Sequence, residues 1–428
     1  MHQGLLTRYI AYNILKKLRN KALSFKGVFS QYIKKYDLDN SDKKMIQNIV
    51  LNSMRNKINI EEILKIYIKK FEIDNNSYFL LLGAITQLIY LNFKPYAVIN
   101  SSVELAKHPK IRAPKNFINA ILRKIDKDKK KLLHVSGNYT KLPNWFKNKT
   151  KKWTVIDKLK FIKTISEEPN IHLVFKKKED LNKINREIIK TSNNSGVLKK
   201  HESLIEIPDY KFGKWWVQDY SAMTPIMLLD KIKNKKVIDL CSAPGGKTFV
   251  LVNKGAKVTA VEKDNERINQ LKDNLLRLNF NCNILNSDAL KINEKNKYDI
   301  VILDAPCSSI GTIRRHPEIF YRKIFPNFNK LTLIQSKLLE KAKKLVNKKG
   351  EIIYMVCSFL KEEGEIQIKN FLKKNKNFRI EKFKITNNFK DLNNLIDKNG
   401  YFYTQPKKLS NGVLIDGFFA AKIINNDK

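Results

Sequence analysis

The chain has 428 residues, which is enough for two or three domains, and its 83 basic against 41 acidic residues give a formal net charge of +42. That charge favours a polyanionic partner such as nucleic acid and disfavours a cationic one, although a solvated lysine-rich surface explains the composition equally well. The four cysteines have neither CxxC spacing nor histidines at ligand spacing, so we expect no disulfide framework and no metal site.

The first 126 residues are predicted to form an all-helical domain. Apolar residues recur at three- and four-residue spacing, which predicts helices at Leu5 to Leu18, Met45 to Met54, Ile60 to Phe71, Tyr78 to Leu91 and Phe117 to Ile125. The longest apolar stretch, Tyr78 to Leu91, is interrupted by polar residues and is shorter than the roughly 20 residues of a membrane-spanning helix. Because no secretion signal is visible either, we expect a cytoplasmic protein without a membrane segment.

Residues 127 to 217 are predicted to form a basic linker and a small α/β subdomain that binds RNA. The stretch from Asp126 to Lys152 is strongly basic, and the strand-like run Ile171 to Phe175 precedes a lysine-rich, helix-like stretch. Trp145 and Trp153 lie among these lysines, and such a mixture suits single-stranded nucleic acid, because rings stack on bases while amines meet phosphates. Packing of the two tryptophans on a core is an equally good interpretation.

From residue 218 to residue 428, strand-like segments alternate with glycine-containing turns and helical patterns. The candidate strands are Val237 to Leu240, Lys257 to Val261, Asn283 to Leu285, Asp299 to Leu303, Glu351 to Val356 and Phe418 to Ile423. This alternation predicts an α/β fold with a doubly wound, mainly parallel sheet. Ligands of such sheets bind beyond the carboxyl ends of the strands, and the motifs described next all lie at those ends.

A glycine-containing turn follows the first of these strands. Residues 241 to 247 lead into a helix, so backbone amides and the helix N-terminus can face a polar ligand. A P-loop would need glycine at Cys241, and the GxGxxG fingerprint is absent. Glu262 closes the second strand, where a carboxylate can accept hydrogen bonds from ribose hydroxyls, and Asp288 follows the third, where it can bind an adenine amino group. Each acid alone is more often a surface carboxylate or cap, but together they predict an adenosyl-nucleoside pocket.

Two cysteines follow two strands that we expect to be parallel neighbours. Cys307 ends the sequence Asp304-Ala-Pro-Cys, and Cys357 follows Tyr354-Met-Val. Because parallel strands lie roughly 4.8 Å apart, both thiols are expected to open onto one crevice and to flank one substrate ring. A thiolate that adds to carbon 6 of cytosine turns the ring into an enamine, whose carbon 5 can attack a methyl donor.

These motifs resemble the Sun (Fmu) family of S-adenosylmethionine-dependent RNA cytosine-5 methyltransferases. The resemblance covers nearly the whole chain, and the N-terminal helices resemble the NusB-like RNA-binding domain of one branch. The resemblance rests on QDYSA at Gln218 to Ala222, DLCSAPGGKT, Glu262, Asp288, LDAPCSSIGTIRRHPE at Leu303 to Glu318, YMVCS, and DGFFAAK at Asp416 to Lys422. It implies a NusB-like domain over residues 1–126 and, over 218–428, a Rossmann-like methyltransferase domain whose last strand is antiparallel.

The resemblance also implies which residues hold the cofactor and which carry the chemistry. S-adenosylmethionine contacts are implied for Cys241, Ser242, Ala243, Pro244, Gly245, Gly246, Lys247, Glu262, Asp288 and Asp304. Cys357 is the expected nucleophile, Asp304 is expected to hold the cytosine, and Cys307 to assist proton removal or expulsion of the thiol. The alternative makes Cys307 the attacker, as in DNA cytosine-5 methyltransferases, and leaves Cys357 as a buried structural thiol. Val356 and Glu262 replace a usual threonine and aspartate, and neither departure removes a required group.

Arg314, Arg315 and His316 follow the Pro-Cys motif and are expected to contact RNA, unless they only hold the loop against acids such as Glu318. The resemblance implies methylation of a cytosine in 16S ribosomal RNA, and this base must be unpaired or extruded to reach buried thiols. Two alternatives stay open: the same chemistry on another RNA such as transfer RNA, and a non-catalytic RNA-binding assembly or antitermination factor with a decayed pocket. We expect a monomer.

Overall fold

The computed structural model describes residues 3–21, 23–68, 72–200, 202–385, 388–389 and 391–427. The chain forms two compact units. Unit 1 comprises Met1–Glu168 and Ile313–Phe325, and unit 2 comprises Pro169–Thr312 and Pro326–Lys428. The chain therefore passes from unit 1 to unit 2 after Glu168.

Unit 1 is helical, as its apolar periodicity predicts. Its helices are α1 Gln3–Asn20, α2 Phe25–Lys35, α3 Asn40–Arg55, α4 Lys57–Tyr67, α5 Asn75–Ile85, α6 Pro95–Lys107, α7 Lys115–Lys127, α8 Lys129–Leu132, α9 Asn144–Lys149 and α10 Val155–Ser166, with a π-helical turn at Thr86–Tyr90. The helix expected at Ile60 to Phe71 is α4, which ends at Tyr67, whereas residues 69–71 lie outside the described residues. No described helix combines the length and apolarity needed to cross a bilayer.

The segment expected to be a basic linker is part of unit 1 because aromatic packing holds it there. Phe146 is fully buried, and its ring lies 5.7 Å from that of Trp153 and 4.8 Å from that of Phe320. The Trp145 ring lies 5.8 Å from Phe320 as well. Of the two interpretations of Trp145 and Trp153, packing on a core is therefore the one seen.

Unit 2 opens with a small antiparallel sheet. Its elements are β1 His172–Phe175, α11 Lys178–Lys183, β2 Ile188–Ser192, β3 Ser195–Leu198 and β4 Trp215–Val217, and the strand order is β2-β3-β1-β4. The strand expected at Ile171 to Phe175 is β1. Leu173, Phe175 and Trp215 are fully buried and form a separate apolar cluster beneath this sheet.

The elements of the large sheet follow in two blocks of sequence. The first block contains α12 Tyr220–Met227, β5 Lys236–Leu240, α13 Gly246–Asn253, β6 Lys257–Glu262, α14 Asn265–Arg277, β7 Asn283–Asn286 and β8 Tyr298–Asp304. The chain then enters unit 1 through Ile313–Phe325, which carries the short helix α15 Glu318–Tyr321. The second block contains α16 Phe328–Leu345, β9 Val346–Val356, α17 Glu365–Lys374, β10 Phe378–Glu381, β11 Phe402–Thr404, β12 Lys407–Lys408, β13 Leu414–Ile415 and β14 Phe418–Asn425.

The large sheet has the order β10-β14-β9-β8-β5-β6-β7, and β11 pairs with β14. The pairs from β9 through β8, β5 and β6 to β7 are parallel, whereas β14 runs antiparallel to β9. This confirms the predicted mainly parallel sheet with an antiparallel last strand. Leu240 is opposite both Leu303 and Val261, and Asp304 is opposite Met355. The carboxyl ends of β5, β6, β8 and β9 therefore meet at one edge, which we call the catalytic edge.

Candidate active site

The two cysteines expected to converge are in contact at the catalytic edge. Cys357 directly follows β9, Cys307 lies three residues beyond the end of β8, and their Sγ atoms are 3.3 Å apart. Cys357 Sγ is also 3.4 Å from the Ser309 hydroxyl. A separation of 3.3 Å leaves no room for a ring between the sulfurs, so a base must meet both from one side rather than lie flanked by them.

The contact makes the two thiols chemically different. The hydrogen bond from the Cys307 thiol lowers the pKa of Cys357, with help from Ser309 and Lys247, while burial and Asp304 oppose the effect. The same hydrogen bond, together with burial, raises the pKa of Cys307. Of the two thiols, Cys357 is thus the more acidic and Cys307 the less acidic.

A buried carboxylate fixes the loop that carries Cys307. Glu363 is fully buried and accepts hydrogen bonds from the Ser308 amide at 2.8 Å and the Ser308 hydroxyl at 2.5 Å. Gln335 Nε2 donates to Glu363 at 3.2 Å and to the Pro306 carbonyl at 3.0 Å. The Tyr354 hydroxyl donates to the Glu363 carbonyl at 2.5 Å. Glu363 therefore ties the Pro-Cys loop to the segment that follows Cys357.

Lys247 and Asp304 form an ion pair beside the cysteines. Lys247 Nζ lies 2.6 Å from Asp304 Oδ2, and the side chains are 13% and 29% exposed. Burial alone would lower the pKa of Lys247, but the charge and hydrogen bond of Asp304 outweigh it and raise that pKa. The ammonium group therefore stays charged and compensates a carboxylate that lies close to the Cys357 thiol.

The turn after β5 has a backbone that requires glycine. Gly245 has φ +110°, and a Cβ atom there would lie 2.3 Å from the Phe249 ring. The Ser242 amide donates to the Val261 carbonyl at 3.0 Å, which joins the turn to β6. Beneath the turn, the Thr248 hydroxyl donates to the buried Asp239 carboxylate at 2.6 Å. The expected ligand-binding turn is thus held rigidly at the catalytic edge.

Glu262 is oriented for binding at the end of β6. One carboxylate oxygen accepts the amides of Lys263 and Asp264 at 2.9 and 3.2 Å, and the other lies 3.1 Å from Arg267 Nη1. Arg267 also donates to the Ala243 carbonyl, so it joins Glu262 to the turn. Our sequence interpretation missed Arg267, although its place in the first turn of α14, five residues after Glu262, was an available signal.

The catalytic edge is acidic although the chain is strongly basic. Asp288 lies two residues beyond β7 and accepts the Leu290 amide at 3.0 Å. Burial, together with the charges of Asp304, Glu262 and Asp239, raises the pKa of Cys241 to about 12. Carboxylates grouped in this way suit a ligand that carries both hydroxyl donors and a positive charge. A ribose and a sulfonium meet that description, so these residues fit S-adenosylmethionine.

The three residues expected to contact RNA lie in unit 1, within Ile313–Phe325. Arg314 is fully buried, and its carbonyl accepts a hydrogen bond from Arg55 Nε at 2.8 Å. The expectation of a surface contact through Arg314 is therefore wrong, because its guanidinium is not exposed. Arg315 is half-buried, while His316 Nδ1 lies 3.5 Å from Glu318, the acid considered in the alternative interpretation.

The fold and the site together define the class. A mainly parallel sheet, a glycine turn after its first strand, and acids at the ends of the next strands characterise the Rossmann-like S-adenosylmethionine-dependent methyltransferases. Residues 226–424 match the family described as 16S rRNA methyltransferase RsmB/F, and residues 6–127 match the NusB family. The chain is thus similar to a NusB domain over its N-terminal part and to an RsmB/F methyltransferase domain over its C-terminal part, which confirms the resemblance seen in its motifs.

The names of relatives agree with the methyltransferase match, and solved structures agree with the fold. Proteins named Ribosomal RNA small subunit methyltransferase B from Yersinia enterocolitica and Photorhabdus laumondii are each 28% identical, over 69% and 71% of this chain and 73% and 75% of theirs. The crystal structure of PH0851 covers 99% of both chains with a TM-score of 0.68 at 20% identity. NSun6 from Pyrococcus horikoshii with SFG covers 67% of this chain and 98% of its own, with a TM-score of 0.54 at 16% identity. These two solved structures share the fold of this chain over the parts that they cover.

Proposed function

We propose that the protein methylates carbon 5 of a specific cytosine in 16S ribosomal RNA through a covalent bond between Cys357 and carbon 6 of the base. The observation that carries the proposal is the 3.3 Å contact between the Cys307 and Cys357 sulfurs beside the Lys247–Asp304 ion pair. The two domain families support RNA methylation, and the printed names of the relatives support small-subunit ribosomal RNA as the substrate.

The first step is the addition of Cys357. Its thiolate donates an electron pair to carbon 6, and the pair of the double bond between carbons 5 and 6 moves to carbon 5, which becomes nucleophilic. S-adenosylmethionine, when bound, supplies the methyl group that carbon 5 takes. Asp304 holds the amino edge or a protonated ring nitrogen of the cytosine, and Lys247 keeps the charge of Asp304 compensated during the addition.

The second step releases the enzyme. A base removes the proton on carbon 5, the electrons of that carbon–hydrogen bond restore the ring double bond, and the bond between sulfur and carbon 6 breaks. We propose that Cys307 assists this step, because its thiol, 3.3 Å from the Cys357 sulfur, can donate a hydrogen bond to that sulfur as it departs. This division of roles follows the opposite pKa shifts of the two thiols.

Covalent trapping tests the chemistry. RNA that carries 5-fluorocytosine stops the reaction at the adduct, because fluorine cannot leave as the carbon 5 proton does. The wild-type protein and the control Cys282→Ala, which removes a free thiol that the mechanism does not use, should form the adduct. Cys307→Ala should also form it, at a pH high enough to ionise Cys357, because the attacking thiol is still present. An adduct in Cys357→Ala protein would refute the assignment.

Bisulfite sequencing of RNA from cells with and without the protein tests the substrate. We expect one cytosine of 16S ribosomal RNA to lose its protection from deamination by bisulfite when the protein is absent. If protection is lost only in transfer RNA, the proposed reaction stands but its substrate is transfer RNA. If protection is unchanged in all RNA, methylation is refuted and a non-catalytic role is favoured.

A further inference from the structure

One residue of the Pro-Cys loop contacts both thiols and has no part in the steps proposed above. The Ser309 hydroxyl lies 3.4 Å from Cys357 Sγ. The hydrogen bond with Cys357 and burial raise the pKa of Cys307, and the Ser309 amide opposes that rise by donating a hydrogen bond to the Cys307 sulfur. The neighbouring Ser308 directs its hydroxyl to Glu363 instead. Ser309 therefore meets the nucleophile through its side chain and Cys307 through its backbone.

The backbone of Ser309 has a conformation that costs free energy. Its φ angle is +58°, in the left-handed region that glycine adopts readily and that residues with a Cβ atom rarely adopt. Such strain persists only where the surrounding structure holds it, and it is concentrated at active sites. At this φ the residue presents its amide to one sulfur and its hydroxyl to the other. The strained residue is thus the one that joins the two thiols.

Hydrogen bonds on the C-terminal side of Ser309 hold the turn in this conformation. The Thr312 amide and hydroxyl donate to the Ser309 carbonyl at 2.9 and 2.8 Å. The Gly311 amide donates to the Cys357 carbonyl at 3.0 Å, and the Gly417 amide donates to the Gly311 carbonyl at 2.9 Å. A Cβ atom on Gly311 would lie 1.9 Å from the Gly417 carbonyl oxygen, so the two backbones meet too closely for a side chain. The turn is therefore fixed both to the end of β9 and to the segment before β14.

We propose that Ser309 is a positioning residue, whose hydroxyl group holds the Cys357 sulfur in the direction of carbon 6 of the base. The inference rests on the proposed function, since Cys357 is there the attacking group. Donors from Cys307 and Ser309, 3.3 and 3.4 Å from the Cys357 sulfur, fix its orientation. In the thiolate form the Ser309 hydroxyl donates to a negative charge, and such a hydrogen bond is stronger than one between neutral groups. The strained turn therefore places a second donor beside the nucleophile.

Two substitutions separate the hydroxyl group from the backbone strain. Ser309→Ala removes the hydroxyl and keeps a Cβ atom at a positive φ, whereas Ser309→Gly removes the hydroxyl and relieves the strain. Both lose the hydrogen bond that, after the one from Cys307, lowers the pKa of Cys357. The pH profile of adduct formation on 5-fluorocytosine RNA should therefore move to higher pH by the same amount in both, with rates at neutral pH roughly three- to tenfold below wild type. Ser309→Gly should nevertheless melt at a higher temperature than Ser309→Ala, because only glycine adopts this φ without strain.

A measurement without RNA and a matched control complete the test. Alkylation of Cys357 by iodoacetamide, followed by mass spectrometry over the same pH range, reports the change in its pKa directly. The other groups that face Cys357 are Cys307, Asp304 and Lys247, and none of the substitutions alters them. Asn234→Gly is the control, because it changes another residue at a positive φ, +63°, at an exposed position before β5. It should leave both pH profiles unchanged.

Unchanged profiles in both Ser309 variants would overturn the inference. A shift in Ser309→Ala alone would overturn it as well, because the effect would then belong to the strain and not to the hydroxyl. So would a shifted alkylation profile with an unchanged adduct profile, because Ser309 would then act on the resting thiol only. If Ser309→Ala does not fold, Ser309→Gly decides the question. Wild-type protein that forms no adduct while the alkylation profiles still differ would refute the proposed function, and not the hydrogen bond.

Discussion

The hydrogen bond from Cys307 is the largest of the effects on the pKa of Cys357, and this has a measurable consequence. Cys307→Ala removes the donor that lowers the pKa of Cys357, so the pKa of Cys357 should rise. Adduct formation depends on the thiolate, and its pH profile on 5-fluorocytosine RNA should therefore move to higher pH. Cys307→Ser keeps a donor and should move the profile less. A profile that does not change in Cys307→Ala would show that Cys307 does not act on the ground-state thiol.

Glu363 is the buried residue on which the Pro-Cys loop depends. Glu363→Gln keeps the size of the side chain but leaves one acceptor oxygen for the two hydrogen bonds from Ser308. We expect a loss of about 1–3 kcal/mol in stability, the usual cost of an unsatisfied buried group, and a lower kcat with RNA affinity retained. The neighbouring variant Glu362→Gln serves as the control. Unaltered melting and turnover in Glu363→Gln would contradict this positioning role.

Among single residues, the reactive side chains of the site can be predicted from the sequence better than the residues that hold them in place. The placement of Cys307 and Cys357 was predictable because each follows an apolar run, and parallel strands bring such positions together. Glu363 was not, because it lies in a charged run, KEEGE, that is typical of an exposed helix end. The predicted surface contact of Arg314 failed for the same reason, since a sequence does not show which of two adjacent arginines is buried.

Among the elements, β5 and α13 are joined by the hydrogen bond between Asp239 and Thr248, and Asp239 should make the stability of the protein depend on pH. Burial raises the pKa of Asp239 to about 7, well above the ordinary value for aspartate of about 3.9. Between these two pH values the folded chain keeps a proton that the unfolded chain has lost, so unfolding releases it and stability falls as pH rises. Above about pH 7 this contribution is constant.

Asp239→Asn should remove that part of the pH dependence while keeping the hydrogen bond from the Thr248 hydroxyl. The free energy of unfolding of the variant relative to wild type should increase from about pH 4 to about pH 7 and then level off, by roughly 4 kcal/mol at most. Urea unfolding of both proteins across this range measures the difference. A difference independent of pH would show that Asp239 is ionised in the folded protein.

The elements that were predicted well are those with strong periodicity. Strands buried on both faces read as continuous apolar runs, and β5, β8 and β14 were placed within a few residues. The edge strand β7 and its neighbour β6 were placed equally well, whereas β9 begins at Val346, five residues before the expected start. The small antiparallel sheet was largely missed, because its strands are three to five residues long and lie in lysine-rich sequence. Short strands of this kind are specified by their partners rather than by their own composition.

For the whole molecule, the informative feature is that Ile313–Phe325 belongs to unit 1 although its sequence lies within the methyltransferase region. Tyr321 is fully buried, and its hydroxyl donates to the Leu15 carbonyl at 3.1 Å. Ile319 is buried as well, and Phe320 packs on Phe146 at 4.8 Å. Periodicity could not reveal this, because a local pattern does not show which unit a segment joins.

A fragment of residues 169–428 should therefore expose an apolar surface. Without unit 1, Ile319, Phe320 and Tyr321 lose the partners described above, so the fragment should bind a hydrophobic dye and aggregate. Coexpression with residues 1–168 should restore solubility, as should replacement of residues 313–325 by a glycine-serine linker in the fragment. A soluble fragment that binds no dye would show that this segment can pack within unit 2.

The returning segment also bears on how the chain folds during its synthesis. The N-terminal core cannot be completed when residue 168 leaves the ribosome, since part of it is encoded about 160 residues downstream. At ordinary translation speeds of about 5–20 residues per second, the nascent helical bundle waits roughly 8 to 30 seconds for its missing piece. During that interval an open apolar groove faces the solvent, and a chaperone is best placed to protect it.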